Sequence, residues 1–169
     1  MNGSLESVGD RPGLRFERHL DHSVESVWRA ITEPDELRRW YPGVPNWELR
    51  LGARFTNEEG NGGGQITELD PPRLLAYSWG VQRFRFELHP DGDGCLLVFT
   101  HVFDDRELGA QHAAGWEAYF NRLDAHLAGG FLSEQDAHEV VPEFKARYAE
   151  EFGLDPEAGR RTLAEHQQD

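Results

Sequence analysis

The chain carries one cysteine, Cys95, and one lysine, Lys145, in 169 residues. A single thiol cannot form an intrachain disulfide framework, so stability has to come from a packed core, and a reducing, cytoplasmic setting is expected. No apolar run approaches the roughly 18 residues of a membrane span, and the opening MNGSLESVGDRPG lacks the basic flank and apolar segment of a secretory signal. Eight histidines are present without a His-x-x-x-His or Cys-x-x-Cys spacing, so no metal site is expected. Gly60-Asn61-Gly62-Gly63-Gly64 lacks the Gly-Lys-Ser/Thr ending of a phosphate loop and sits between strand-like segments, where it reads as a turn. No Gly-x-Ser-x-Gly elbow occurs, and the aspartates around Cys95 would raise a thiol pKa rather than activate it. No cofactor is expected. Basic residues are also scarce, 17 against 31 acidic, for a net charge of -14. Nucleic-acid binding draws its affinity from cations displacing counterions, so that partner class is excluded.

What is present has the size of one domain with an appendage. Residues 1–13 are small, polar and Gly/Pro-bearing and read as a disordered leader. Leu14, Phe16 and Leu20 mark a first strand, and Ser23 stands where a helix cap belongs. Val24, Val27, Trp28 and Ile31 form one apolar stripe, and Pro34 opens a second short helix with Leu37 and Trp40 inward. From Trp47 to Phe103 the pattern shifts to period two, predicting strands at 47–50, 53–59, 64–70, 74–80, 83–90 and 95–103. Short connections between them, among them Val81-Gln82, make neighbours antiparallel. Alternation puts Leu75, Tyr77 and Trp79 on one face, as it does Phe84, Phe86 and Leu88, and Leu97, Phe99, His101 and Phe103. Gln111 to Leu127 is a long helix whose Trp116, Phe120, Leu123 and Leu127 must cover that face.

Residues 131–169 hold ten carboxylates and four bases, too short a piece for a core of its own. Ser133 can cap one helix there, and Pro142 and Pro156 suit the first turns of two more. The stripe Val141, Phe144, Tyr148 and Phe152 has to pack on the domain, where it could close over the pocket as a lid, or on a second subunit as a homodimer arm.

Several local patterns, in order, carry a resemblance. They are Ser26 to Thr32 followed by Glu33-Pro34 and Leu37-x-x-Trp40; Gly52-x-x-Phe55; Gly64-x-Ile66 leading into Leu69 to Leu74; Tyr77-x-Trp79; Thr100-His101; and His112-x-x-Gly115-Trp116. Together, over about residues 14–128, the chain resembles the START-like, Bet v 1-like superfamily of polyketide cyclases and lipid-transport proteins, and within it the activator of heat shock protein 90 ATPase homologue-like proteins. The resemblance implies an α+β helix-grip fold over residues 14–130: a curved antiparallel β-sheet wrapped around a long C-terminal α-helix, plus a helical C-terminal extension over 131–169. It also implies a cavity between sheet and helix for an apolar or aromatic, lipid- or polyketide-like small molecule. Chaperone activators of the family carry a second domain that this chain has no room for, and no motif here supports a chaperone partner.

Wide rings can line such a wedge. The candidate wall is Trp28, Trp40, Tyr41, Phe55, Tyr77, Trp79, Phe84, Phe86, Phe99, His101, Trp116 and Phe120. Strand parity turns His101 inward, where it either contacts a ligand or serves as acid or base, or pairs with His112, Tyr77 or a backbone carbonyl to lock sheet to helix. Gly115 is expected to allow close helix approach, and Asn57 and Glu68 are further pocket candidates. Three functions follow: a non-enzymatic binding protein, which the aromatic density favours; a cyclase, dehydratase or hydrolase using His101 with Tyr77 or Glu68; or an interaction module using the acidic surface and tail.

Overall fold

The computed structural model describes residues 3–60 and 62–157. Eight strands form one antiparallel sheet in the order β1-β2-β8-β7-β6-β5-β4-β3. They are β1 (Gly3–Val8), β2 (Arg11–Leu20), β3 (Pro45–Asn46), β4 (Arg54–Asn57), β5 (Gly63–Asp70), β6 (Leu74–Trp79), β7 (Gln82–Asp91) and β8 (Gly94–Val102). Helices α1 (Val24–Thr32) and α2 (Pro34–Leu37) connect β2 to β3, and the long helix α3 (Gly109–Leu127) follows β8. Two helices close the described chain, α4 (Glu134–His138) and α5 (Val141–Phe152). This is the expected α+β helix-grip architecture.

Local chemistry places the elements. Ser23 caps α1 by accepting from the Ser26 N–H at 3.1 Å, and Val24, Val27, Ala30 and Ile31 on one side of it are buried. Trp40, just past α2, is fully enclosed and its indole N–H donates to the Ala30 carbonyl at 2.8 Å, fastening the two helices together. Across the sheet, register aligns the inward residues into rows: Leu75, Phe86, Phe99 and Phe16 in one, Tyr77, Phe84, His101 and Leu14 in the next. A register shift between Ile66 and Glu68 in β5 interrupts the regular pairing with β6, the kind of irregularity that bends a strand. Gly64 sits where a Cβ would lie 1.7 Å from the Ser78 carbonyl oxygen, so only glycine lets β5 approach β6 this closely.

Two expectations change. The sequence reading took 1–13 as a disordered leader, but residues 3–13 are ordered. Gly3–Val8 pairs with β2 as an edge strand, turned at Gly9-Asp10 with Gly9 at φ +64°, the two-residue hairpin geometry that favours glycine. The strand is held by half-buried Leu5 and by its Gly3 N–H, which donates to the Tyr148 hydroxyl at 3.0 Å. Nor is 47–50 a strand. Only Pro45–Asn46 pairs with β4, because Trp47 turns inward to stand edge-on to Phe55 and Tyr77 while its indole N–H donates to the Thr32 carbonyl at 3.0 Å; Leu49 and Leu51 are left exposed.

The extension packs on the domain. Ser133 caps α4 and Pro142 stands in the first turn of α5, as read from the sequence; Pro156 lies beyond α5 in a turn, and the residues after 157 lie outside the described set. The stripe packs against the domain. Tyr148 is completely buried against Phe16, and its hydroxyl donates to Glu117 Oε1 of α3 at 2.6 Å, while Val141, Phe144 and Phe152 are half-buried.

Candidate functional site

At the centre of the grip the rings are in contact. Phe99 meets Trp116 at 4.5 Å, Phe86 at 4.9 Å and Phe120 at 5.2 Å between centroids, and Phe120 reaches Trp40 at 6.4 Å. Phe55 and Tyr77 stand edge to face at 5.7 Å, each buried. Trp40, Phe55, Tyr77, Phe86, Phe99 and Phe120 are therefore packed core, and Trp28 lies half-buried on α1 outside this set. The gap between sheet and helix that the sequence led us to expect at these residues is filled by the rings themselves.

Open space remains where the C-terminal end of β6 and the start of β7 face the middle of α3. Two adjoining recesses, of about 240 Å³ and 360 Å³, share Gln82, Phe84 and Trp116. The first is completed by Tyr41, Trp79 and Asn57, the second by His101, His112, Gly115 and Tyr119. Five of the twelve expected wall residues thus come together here: Tyr41, Trp79, Phe84, His101 and Trp116. The sequence reading missed Gln82, Gln111 and His138 as lining residues and had Tyr119 only as a neighbour of the inward stripe; Val141, from the stripe read as a lid or a dimer arm, comes with His138 to the edge of the second recess.

His101 fulfils the locking alternative through partners not foreseen. It is 2% exposed. The Trp116 indole N–H donates to its Nδ1 at 3.0 Å, and its Nε2 is bonded to the Gln82 side-chain oxygen. Burial, with smaller contributions from His112 and Arg11, lowers its pKa to about 3, so it is neutral at ordinary pH. Bonded through both nitrogens to Trp116 of α3 and Gln82 of β7, the neutral His101 ties sheet to helix. Its expected catalytic partners are absent. The Tyr77 hydroxyl is bonded to that of Tyr41, and burial pushes both phenols well above their usual range. Glu68 lies on the outer face of the sheet, paired with Arg85 at 3.0 Å. Among the described residues no three His, Cys, Asp or Glu side chains converge in a way that could hold a metal ion.

Gly115 is also not a close-packing glycine, because nothing lies within 4 Å of a Cβ built on it; it floors the open second recess. Near it, His112 stands edge-on to His101 at 4.9 Å and to Phe103 at 4.8 Å, and burial lowers its pKa. Gln111 Oε1 is enclosed without a hydrogen-bond partner.

The family model described as "Activator of Hsp90 ATPase homolog 1-like protein" matches residues 21–128, which contain α1, the sheet from β3 onward and α3. The chain belongs to this family. Among solved structures it is similar to CalU16 from Micromonospora echinospora, with a TM-score of 0.71 and 25% identity over 87% of this chain and 93% of that one. A conserved Enterococcus faecalis protein of unknown function has a TM-score of 0.74 at 21% identity, covering 89% of this chain and 90% of its own. The Mesorhizobium loti protein MLL2253, at 0.61 and 22%, covers 69% of this chain and 96% of its own. The last two likenesses show the fold alone. No curated protein matches the chain in sequence. Among the described residues no helix of this family member is long and apolar enough to cross a membrane.

Proposed function

We propose that this member of the activator of Hsp90 ATPase homolog 1-like family is a binding protein that takes a neutral, planar, largely apolar small molecule in the double recess at the mouth of the grip. The observation that carries this reading is the lining. No Asp, Glu, Lys or Arg lines either recess, although the chain has a net charge of -14. Other surface depressions of the protein carry both arginine and carboxylate, such as the groove lined by Arg11, Arg83, Arg85 and Glu68 on the outer sheet face. Aromatic walls with a few amides and imidazoles bind apolar ligands and orient them, while an uncharged, partly desolvated site penalises an ion.

Gly115 supports the same reading. A glycine inside a helix costs roughly 0.5–1 kcal/mol relative to alanine, and packing does not call for it here. What it does is keep the second recess open.

The test is a titration of the purified protein with fluorene, a flat neutral hydrocarbon, followed by chemical-shift changes. Saturable shifts at Trp79, Phe84 and Trp116 are expected, abolished by Gly115→Leu, whose side chain would occupy the recess without displacing any atom within 4 Å of its Cβ. Shifts that do not saturate, or that map to the outer sheet face, would refute the reading.

A further inference from the structure

The hydrogen bonds behind the recess run in one direction only. An indole nitrogen can donate and cannot accept. Because the Trp116 N–H points at His101 Nδ1, that nitrogen must present its lone pair. A neutral imidazole with its lone pair on Nδ1 carries its proton on Nε2, and an Nε2–H needs an acceptor. The group bonded to Nε2 is therefore the carbonyl oxygen of Gln82, as placed. The reverse orientation of the Gln82 amide would set two donors against each other. Its oxygen being consumed, Gln82 has only its NH₂ left to offer. That nitrogen has no partner among the described residues, and Gln82 borders both recesses.

We infer that Gln82 selects the ligand of this mouth by presenting an amide donor to it, so that the preferred class is neutral planar aromatics whose edge carries an acceptor, aromatic ketones and related carbonyl compounds foremost. The inference rests on the reading of the recess as a binding site and narrows its ligand. A carboxylate or phenolate would also accept, but it would enter a lining without Lys or Arg, on a protein of net charge -14. A ligand edge bearing only N–H groups would face a donor. The selectivity lies in the relay from Trp116 through His101, because the imidazole fixes which end of the amide faces out. Trp116 and His101 are positioning residues in this scheme, and Gln82 makes the contact.

Three tricyclic probes of one shape separate the outcomes: fluorene with no polar group, fluorenone with an acceptor and carbazole with a donor. The wild-type protein is expected to bind fluorenone roughly three- to tenfold more tightly than fluorene, the range for one neutral hydrogen bond, with no such gain for carbazole. Gln82→Leu should erase the fluorenone advantage, bringing the ratio of fluorenone to fluorene affinity to about one whatever the change in affinity common to both probes. Equal binding of fluorenone and fluorene at the mouth of the wild-type protein overturns the selection by Gln82 while the binding site stands. A fluorenone advantage that survives in Gln82→Leu overturns it as well. Failure of all three probes to bind removes the site and the selection together. A second measurement needs no variant: ¹⁵N spectra should show His101 as the Nε2–H tautomer from pH 5 to 8, and an Nδ1–H signal would break the relay on which the assignment of Gln82 depends.

Discussion

Protonation of His101 should destabilise this protein from the inside. Its imidazole, at an ordinary value of 6.5, is held near 3 in the fold, first by burial and then by His112 and Arg11. The hydrogen bonds give the same sign, since a proton on Nδ1 would face the Trp116 N–H, donor against donor. The unfolded chain accepts a proton that the folded chain refuses. His101 therefore contributes its full stability above pH 6.5 and loses it progressively as the pH falls toward 3. At pH 5 the imidazole is about 1.5 pH units below its unfolded pKa, which at 1.36 kcal/mol per unit removes about 2 kcal/mol. That is a large share of the roughly 5–15 kcal/mol that holds a domain together. The assay is urea unfolding at intervals from pH 7.5 to 4.5, comparing wild type with His101→Gln. The variant should be less stable at pH 7.5, because it disturbs the Trp116 and Gln82 contacts. Its stability should fall less steeply below pH 6.5, by about one proton's worth of slope, since the carboxylates contribute to both curves alike. Parallel curves would show that His101 titrates normally, and the argument from burial and from the fixed tautomer would fail.

Tyr148→Phe removes a buried hydroxyl that donates to Glu117 at 2.6 Å and accepts from the Gly3 N–H at 3.0 Å; a loss of about 2 kcal/mol is expected in urea unfolding, with faster amide exchange at Gly3. Gly64→Ala would press a Cβ to 1.7 Å from the Ser78 carbonyl oxygen, so β5 and β6 must separate; a loss of about 3 kcal/mol or more is expected, checked by thermal unfolding. Gly115→Ala should do the opposite, raising stability by about 0.5–1 kcal/mol because its methyl meets nothing within 4 Å, while weakening fluorene binding.

The fold was legible because its elements obey simple periods. Strand alternation put Phe84, Phe86 and Leu88, and Leu97, Phe99 and His101, on one face, and all of them are buried. The three- and four-residue steps of Trp116, Phe120 and Leu123 named the covering helix. Where composition stood in for pattern, the reading failed. Residues 3–8 looked like a leader because they are small and polar, yet an edge strand needs few inward side chains, and Leu5 together with a backbone bond to Tyr148 holds this one. The turn signal was there at Gly9-Asp10.

The site was harder, for a different reason. Parity tells which way a ring points but not whether two facing rings touch, because that depends on sheet curvature and helix distance to within an ångström. Six of the twelve expected wall residues are packed core for that reason, and Trp28 lies half-buried on α1. Gln82 was recoverable in principle. Positions 84, 86 and 88 face inward, and one further step back along the same alternation reaches 82, which the sequence reading had placed in the turn; β7 in fact begins there. A glutamine on an otherwise aromatic face, opposite a strand that carries an inward histidine, is a polar pair waiting for a third member. Only the structure supplies that member, because Trp116 comes from α3 and nothing in the strands fixes which ring atom of the helix meets His101. The direction of the relay, and with it the polarity the mouth shows to a ligand, is a tertiary property built from residues whose types the sequence had already put in view.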